Sequence, residues 1–444
     1  MKILIDRKGD EFAFNSSLSS SIWNDIIHTD DGRVVVFNTL HRTAVLLTAE
    51  EYGNMTEGNS RSTLFRLGIL TGNDTDERQL WNDLYRKARH DMSYLDITIV
   101  ATEKCQFGCI YCFEGTNKSG RVVDDNTADA IMAYADKHLQ HLKRMRITWF
   151  GGEPLLAYDK IKSLSNKLID YCAKHSIHYS ADITTNGFAL TPDRVREMVD
   201  DFKIGTYIIT LDGTAAIHDA RRPLLSGKGT FDRIWRNIRE LVKHNAFVLI
   251  RATIDSRNAK DIPGLIDMIA EEKWAGKVWL SFCRTIDISL TPDGTEKYIY
   301  SEKEFADIEW ELMKYAHSKG VMEYSFPHAA PRGGCLRDGD IVIGTEGEIY
   351  KCLDTIGDRR WITGNITQTE TKDTPEWLER WNRWMPDDMP GCRNCVLQPL
   401  CNGGCPHNAL FDDKKHGTAL QCPDWKANYR RQIIALIDEH YKTI

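Results

Sequence analysis

Cys105, Cys109 and Cys112 fall within eight residues, and Cys335, Cys352, Cys392, Cys395, Cys401, Cys405 and Cys422 crowd the C-terminal quarter of the chain. Of twelve cysteines only Cys172 and Cys283 stand apart. Met1 to Phe14 lacks the apolar core of a secretory signal, so a reducing, cytoplasmic setting is expected, where clustered thiols bind metal rather than form disulfides. Three thiolates are one short of a closed tetrahedral site, and one short of the four that normally hold a four-iron cluster. The Cys105-x3-Cys109-x2-Cys112 loop therefore leaves a metal position open to a reactant. A zinc site closed by a remote histidine is the alternative.

Such a loop needs a frame. From Tyr94 to Thr285, apolar β-rich runs at Leu95–Val100, Ile147–Phe150, Ala181–Thr184, Thr206–Leu211, Phe247–Ile254 and Val278–Phe282 alternate with helical segments near 125–142, 158–175, 192–200, 231–244 and 261–273. Six β/α units in succession predict a parallel sheet curved into a partial (β/α)6 TIM-type barrel, whose chemistry sits at the C-terminal ends of the strands. The unusual residues all follow strands: Cys105–Cys112 the first, Gly151-Gly152-Glu153-Pro154 the second, Thr184-Thr185-Asn186-Gly187 the third, Leu211-Asp212-Gly213 the fourth and Cys283 the sixth. Arg251 interrupts the apolar fifth run and calls for an anion, either a ligand carboxylate or a salt-bridge partner at the strand edge. Cys172, after Leu168 and Ile169 in the second helix, reads as an apolar filler.

The chain has 444 residues, a net charge of −7 and a hydrophobic fraction of 42%, values that favour a multidomain globular protein and give no electrostatic reason to expect nucleic acid or a membrane. The expected organisation is an N-terminal module over residues 1–90, the barrel over 91–300, a helical bridge over 301–332, a cysteine-rich domain over 333–425 and a C-terminal helix over 426–444. In the N-terminal module, Arg33–Phe37 and Thr43–Thr48 read as strands, Asn54–Thr63 as a loop and Glu77–Arg89 as a helix. Residues 333–425 are too rich in Cys, Gly and Pro to bury a large core, so metal would supply the missing stability.

Cys-Gln-Phe-Gly-Cys-Ile-Tyr-Cys resembles the motif of the radical S-adenosylmethionine (SAM) superfamily, including the aromatic Tyr111 before the last cysteine. The resemblance implies a 4Fe–4S cluster whose unique iron chelates SAM, and whose electron cleaves SAM to methionine and a hydrogen-abstracting 5′-deoxyadenosyl radical. Gly151, Gly152, Glu153 and Pro154 resemble the family's GGEP turn at the SAM ammonium. Thr185, Asn186 and Thr210 correspond to family positions near the ribose and carboxylate, and Arg251 is a candidate for the carboxylate.

The later set, with Gly347 between Cys335 and Cys352, resembles the seven-cysteine SPASM domain, which implies two auxiliary 4Fe–4S clusters and three in all. By family position, Cys392, Cys395, Cys401 and Cys422 hold the distal cluster, and Cys335, Cys352 and Cys405 the nearer one. An eighth ligand is missing. Anaerobic sulfatase maturases place a cysteine where this chain has Ala329, and an aspartate directly after the second cysteine, where Leu353 precedes Asp354. Cys283 is the competing eighth ligand or a hydrogen donor, and Asp354 a candidate catalytic residue. The resemblance further implies a precursor-peptide substrate, an intramolecular thioether or carbon–carbon crosslink, and an electron donor such as a flavodoxin or ferredoxin. Residues 1–90 resemble a winged-helix-like module for capturing a leader peptide, with a structural cap on the barrel as the alternative. Modification of a folded protein or of a small cofactor precursor is the second functional reading.

Overall fold

A computed structural model describes residues 1–6, 17–115, 119–288, 291–328, 334–368, 374–411 and 422–441. Ala329 lies outside them.

Strands β1 (Lys2–Ile5), β3 (Asn24–His28), β4 (Val34–Asn38) and β5 (Thr43–Leu47) form an antiparallel sheet in the order β1-β5-β4-β3, while β2 (Leu18–Ser20) pairs with β6 (Leu70–Gly72). The helix Glu77–Arg89 forms as its spacing predicts, with Asp76 capping the Gln79 amide. The stretch expected as a loop up to Thr63 instead turns helical at Arg61–Arg66, which places Leu64 in the core.

Six strands then run parallel and in sequence order: β7 (Tyr94–Thr102), β8 (Arg144–Gly151), β9 (His178–Thr185), β10 (Ile204–Thr210), β11 (Phe247–Ile254) and β12 (Val278–Arg284). Each crossover is helical, and the amphipathic helix Phe231–Lys243 buries Phe231, Ile234, Trp235, Ile238, Leu241 and Val242, the face its periodicity marks. The barrel is partial because β7 does not meet β12. On its far side β7 pairs in parallel with β13 (Asp340–Ile343), and the antiparallel β14 (Glu348–Tyr350) and β15 (Gly364–Asn365) complete a nine-stranded sheet. The cysteine-rich segment is thus built onto the open edge of the barrel sheet.

Alternation within the strands separates two environments. Leu95, Ile97, Ile99, Met145, Ile147, Trp149, Ile183, Ile209 and Ile250 pack outward beneath the helices and are almost fully buried. The opposite face is polar and half-open, with Thr98, Thr148, Thr184, Thr206, Thr210, Arg251, Ser281 and Cys283. The molecule's core therefore lies outside the barrel, and its interior is left as a polar trough.

The N-terminal sheet also has two apolar faces. Val34, Val36, Val45 and Leu47 pack on the module's own Leu64 and Leu67. Val35, Phe37, Ala44 and Leu46 pack on Leu397, Leu400, Tyr429, Ile433 and Ile437 of the C-terminal region. Among the described residues no helix is long and apolar enough to cross a membrane.

Candidate active site

The cysteine loop is held on two sides. On one, the Gly151-Gly152 turn at the end of β8 lies against the backbone leading into Cys105. Gly152 N donates to Thr102 O (2.9 Å) and Glu153 N to Lys104 O (2.7 Å). A β-carbon on Gly152 would stand 2.4 Å from Lys104 O, and Gly151 sits at φ +141° with Thr102 O equally intrusive, so both positions require glycine. On the other side, Gly108 N donates to Pro223 O (2.8 Å), Ile110 N to Arg221 O (3.1 Å) and Leu225 N to Gln106 O (2.9 Å). Phe107 is buried edge-on against Phe188, pinning the loop to the core.

Glu153 is fully buried. Its carboxylate accepts from Leu155 N (3.0 Å), Thr185 Oγ1 (2.6 Å) and Asn186 N (2.7 Å), tying the ends of β8 and β9 together. Burial raises its pKa against the pull of those donors. Pro154 is buried at the start of the following turn. Asn186 brings its side-chain amide to 4.0 Å from the Cys105 sulfur and accepts from Phe188 N (3.0 Å). The structure thus brings Cys105, Gly151, Gly152, Glu153, Thr185 and Asn186 into one assembly.

Thr210, Arg251 and Ser281 stand in register across β10, β11 and β12 and share the interior face. Arg251 has no hydrogen-bonded or ion-paired side-chain partner among the described residues, so its charge is available to an anion in the trough. Cys283 lies beyond it, 3.7 Å from Ser281 Oγ. Burial raises the Cys283 thiol, and Arg251 and the Ser281 hydroxyl draw it back.

Below the loop is a buried polar network of which the sequence marks only Tyr111 and Asp212. Tyr111 Oη donates to Asp212 Oδ2 and accepts from Arg222 (2.9 Å). Asp212 also takes Arg221 Nε (3.1 Å) and Thr253 N (3.1 Å), and Arg221 reaches Asp255 Oδ1 (2.9 Å). His218 is fully buried and accepts from Asp212 N (3.3 Å); burial, then Arg222 and Arg221, hold its imidazole well below the usual range. Asp219 accepts from Thr230 N and Phe231 N, capping the next helix and so fixing the segment that bears both arginines. For Arg221 and Arg222 the signal in the sequence is their adjacency shortly after a rim strand.

The later cysteines converge as two sets. Cys335 and Cys352 flank the β13–β14 hairpin, whose turn places Gly347 at φ +84°. Both bear on one another and on Cys405, at the start of the short helix Pro406–Leu410. Cys392, Cys395, Cys401 and Cys422 form the second set; Lys426 Nζ lies 3.5 Å from the sulfurs of both Cys395 and Cys422. Asp354 lies beside Cys352, its pKa raised by burial and drawn back by His407. Among the described residues no three such side chains converge tightly enough to ligate a single ion. In a polynuclear cluster each thiolate binds a different iron, which asks for a more open array. Three thiols on the rim loop beside two unavoidable glycines fit an iron–sulfur cluster with room for a small ligand. A cavity of about 360 Å³ lined by Tyr94, Lys143, Arg144 and Arg337 lies at the opposite end of the barrel, away from these groups.

Residues 99–269 match the family model described as the radical SAM superfamily. The mycofactocin maturase MftC of Mycobacterium tuberculosis (strain ATCC 25618 / H37Rv) is 26% identical over 355 residues, covering 74% of this chain and 81% of that protein. The cysteine-type anaerobic sulfatase-maturating enzyme of Clostridium novyi (strain NT) is 24% identical, covering 76% and 94%. The solved structure of anSMEcpe with bound AdoMet superposes with a TM-score of 0.58 at 19% identity, covering 78% of this chain and 98% of that one, which shows a shared fold. The family implies SAM and a 4Fe–4S cluster. The open barrel, its cysteine loop and these matches together identify residues 99–269 as a radical SAM domain.

Proposed function

We propose that the chain is a radical SAM peptide maturase that forms an intramolecular crosslink in a ribosomally made precursor. The observation that carries this reading is a second cysteine-rich region beside the barrel: Cys335 and Cys352 flank the β13–β14 hairpin that extends the barrel sheet, with Cys405 near them, and Cys392, Cys395, Cys401 and Cys422 gather as a separate set. Cys105, Cys109 and Cys112 hold the SAM-binding cluster, Cys392, Cys395, Cys401 and Cys422 the distal auxiliary cluster, and Cys335, Cys352 and Cys405 the nearer one. When reduced and with SAM bound, the cluster held by Cys105, Cys109 and Cys112 would supply the electron that cleaves SAM to methionine and a carbon radical able to abstract an unactivated hydrogen.

The protein's own part is placement. Gly151 and Gly152 let the β8 turn lie against the loop, Glu153 locks Thr185 and Asn186, and Thr210 and Arg251 offer the trough a hydroxyl and a cation. Tyr111 closes the floor through Asp212. The names of the relatives support maturation, and a second anSMEcpe structure holds AdoMet with a peptide. A small acidic redox protein such as a flavodoxin or ferredoxin is the electron donor. Residues 1–90 take the leader peptide by adding it to the edge of the sheet at β1 or β3. Likeness to the sulfatase maturase over 94% of its length favours folded-protein modification as the second reading, against which Leu353 in place of the maturases' aspartate counts.

The test is incubation of anaerobically reconstituted enzyme, SAM and reductant with precursor peptides encoded beside its gene. Mass spectrometry should show loss of hydrogen without a gain in mass. Modification of a sulfatase peptide with no change in any precursor would overturn the first reading in favour of the second.

A further inference from the structure

Arg222 is nine-tenths buried, and its Nε is enclosed without a hydrogen-bond partner. The strand-like contact between the cysteine loop and residues 221–225 sets Arg222 opposite Cys109. Gly108 N bonds Pro223 O on one side of the pair, and Ile110 N bonds Arg221 O on the other. Thr230 Oγ1 holds the Arg222 carbonyl (2.8 Å), Tyr111 Oη accepts from the guanidinium (2.9 Å), and the Phe107 ring lies 5.9 Å from it. Its neighbour Arg221 is matched by Asp212 and Asp255, whereas among the described residues no carboxylate hydrogen-bonds or ion-pairs with Arg222. A buried guanidinium without a carboxylate is costly unless some other anion compensates it.

We infer that Arg222 is a positioning residue whose fixed positive charge faces the Cys109 thiolate and favours the reduced, more negative state of the rim cluster. The inference rests on the cluster assignment proposed above. Burial opposes the charge, but the Cys109 sulfur, Tyr111 and Asp212 keep the guanidinium protonated. When one electron enters from an external reductant, the cluster and its thiolates become more negative by one charge. A cation held in a low-dielectric site offsets that change far more than one in water.

The test is a potentiometric titration of full-length reconstituted enzyme, followed by electron paramagnetic resonance and confined to the signal that changes when SAM is added. Arg222→Gln should bind iron and sulfide as the wild type does, but disfavour reduction by about tenfold, a shift of ~59 mV to more negative potential for one electron. Arg222→Lys should stay near the wild-type midpoint. If Gln fails to load while Lys loads, the charge requirement stands. An unchanged midpoint in a loaded Arg222→Gln protein overturns the inference, as does failure of both variants to bind iron, because lysine keeps the charge. Absence of any SAM-sensitive signal in the wild type would instead sink the cluster assignment itself.

Discussion

Glu153 has all its donors supplied by the protein, so removing it strands Leu155 N, Thr185 Oγ1 and Asn186 N in a buried place. Each orphaned group costs ~1–3 kcal/mol. Glu153→Ala should therefore melt several degrees lower and lose rim-loop iron, whereas Glu153→Gln, keeping one acceptor oxygen, should lose less; equal melting of the two variants would argue against the brace. A second carboxylate carries a pH dependence. Burial raises Glu309 to about 7, although Asn428 Nδ2 donates to it at 2.8 Å. The folded protein then holds a proton that the unfolded chain releases near its ordinary value, so stability falls as pH rises from about 4.3 towards about 7. Glu309→Gln should remove that slope and raise the melting temperature at pH 7.5; an unaltered slope in anaerobic melts from pH 5 to 8 would refute the assignment. The cysteine spacing was legible because ligand loops are local in sequence. Arg222 was not, because its importance depends on pairing with a loop 113 residues earlier at Cys109.

At the scale of elements, the six barrel strands and their helices were readable because apolar runs of two-residue period alternate with a clear helical face. The β13–β14–β15 extension was not, since strands of two to four residues carry too little pattern to show which edge they join. Cys172 shows the other side of this local legibility: it is buried, packs 3.8 Å from Met145 Sδ, and its thiol is pushed up to about 12 by burial, as a filler requires. The β8 turn gives the sharpest prediction here. A Gly152→Ala β-carbon meets two backbone carbonyls, of Lys104 and Glu103, which cannot rotate aside. The variant should lose about one cluster's worth of iron and the SAM-sensitive signal while keeping the auxiliary signals. Full iron content with normal SAM cleavage would show that the turn does not set the loop.

Across the whole molecule, the N-terminal module is joined to the cysteine-rich region more intimately than a detachable recognition unit would be. Its sheet covers Leu400, Ile433 and Ile437, and Arg89 donates to the carbonyls of Trp381 and Trp384. Removing residues 1–90 should therefore cost the distal cluster as well as leader binding. Retention of all iron in that truncation would contradict the packing. The same continuity connects the rim to the auxiliary region, because Glu103 at the root of the cysteine loop accepts from both Arg121 and Thr345 in the β13–β14 turn. The barrel sheet and its extension thus position the rim loop and the Cys335–Cys352 pair, while the N-terminal sheet backs the segment around Cys395 and Cys401, and one assay tests whether each group holds an iron–sulfur cluster with distinct duties. Anaerobically reconstituted wild type and the Cys105→Ala/Cys109→Ala/Cys112→Ala protein are compared for iron content and for 5′-deoxyadenosine formed with dithionite. The wild type should bind about twelve irons and cleave SAM, and the triple variant should keep about eight and form none. Continued cleavage by the triple variant, or a colourless zinc-bound wild type, would contradict the account.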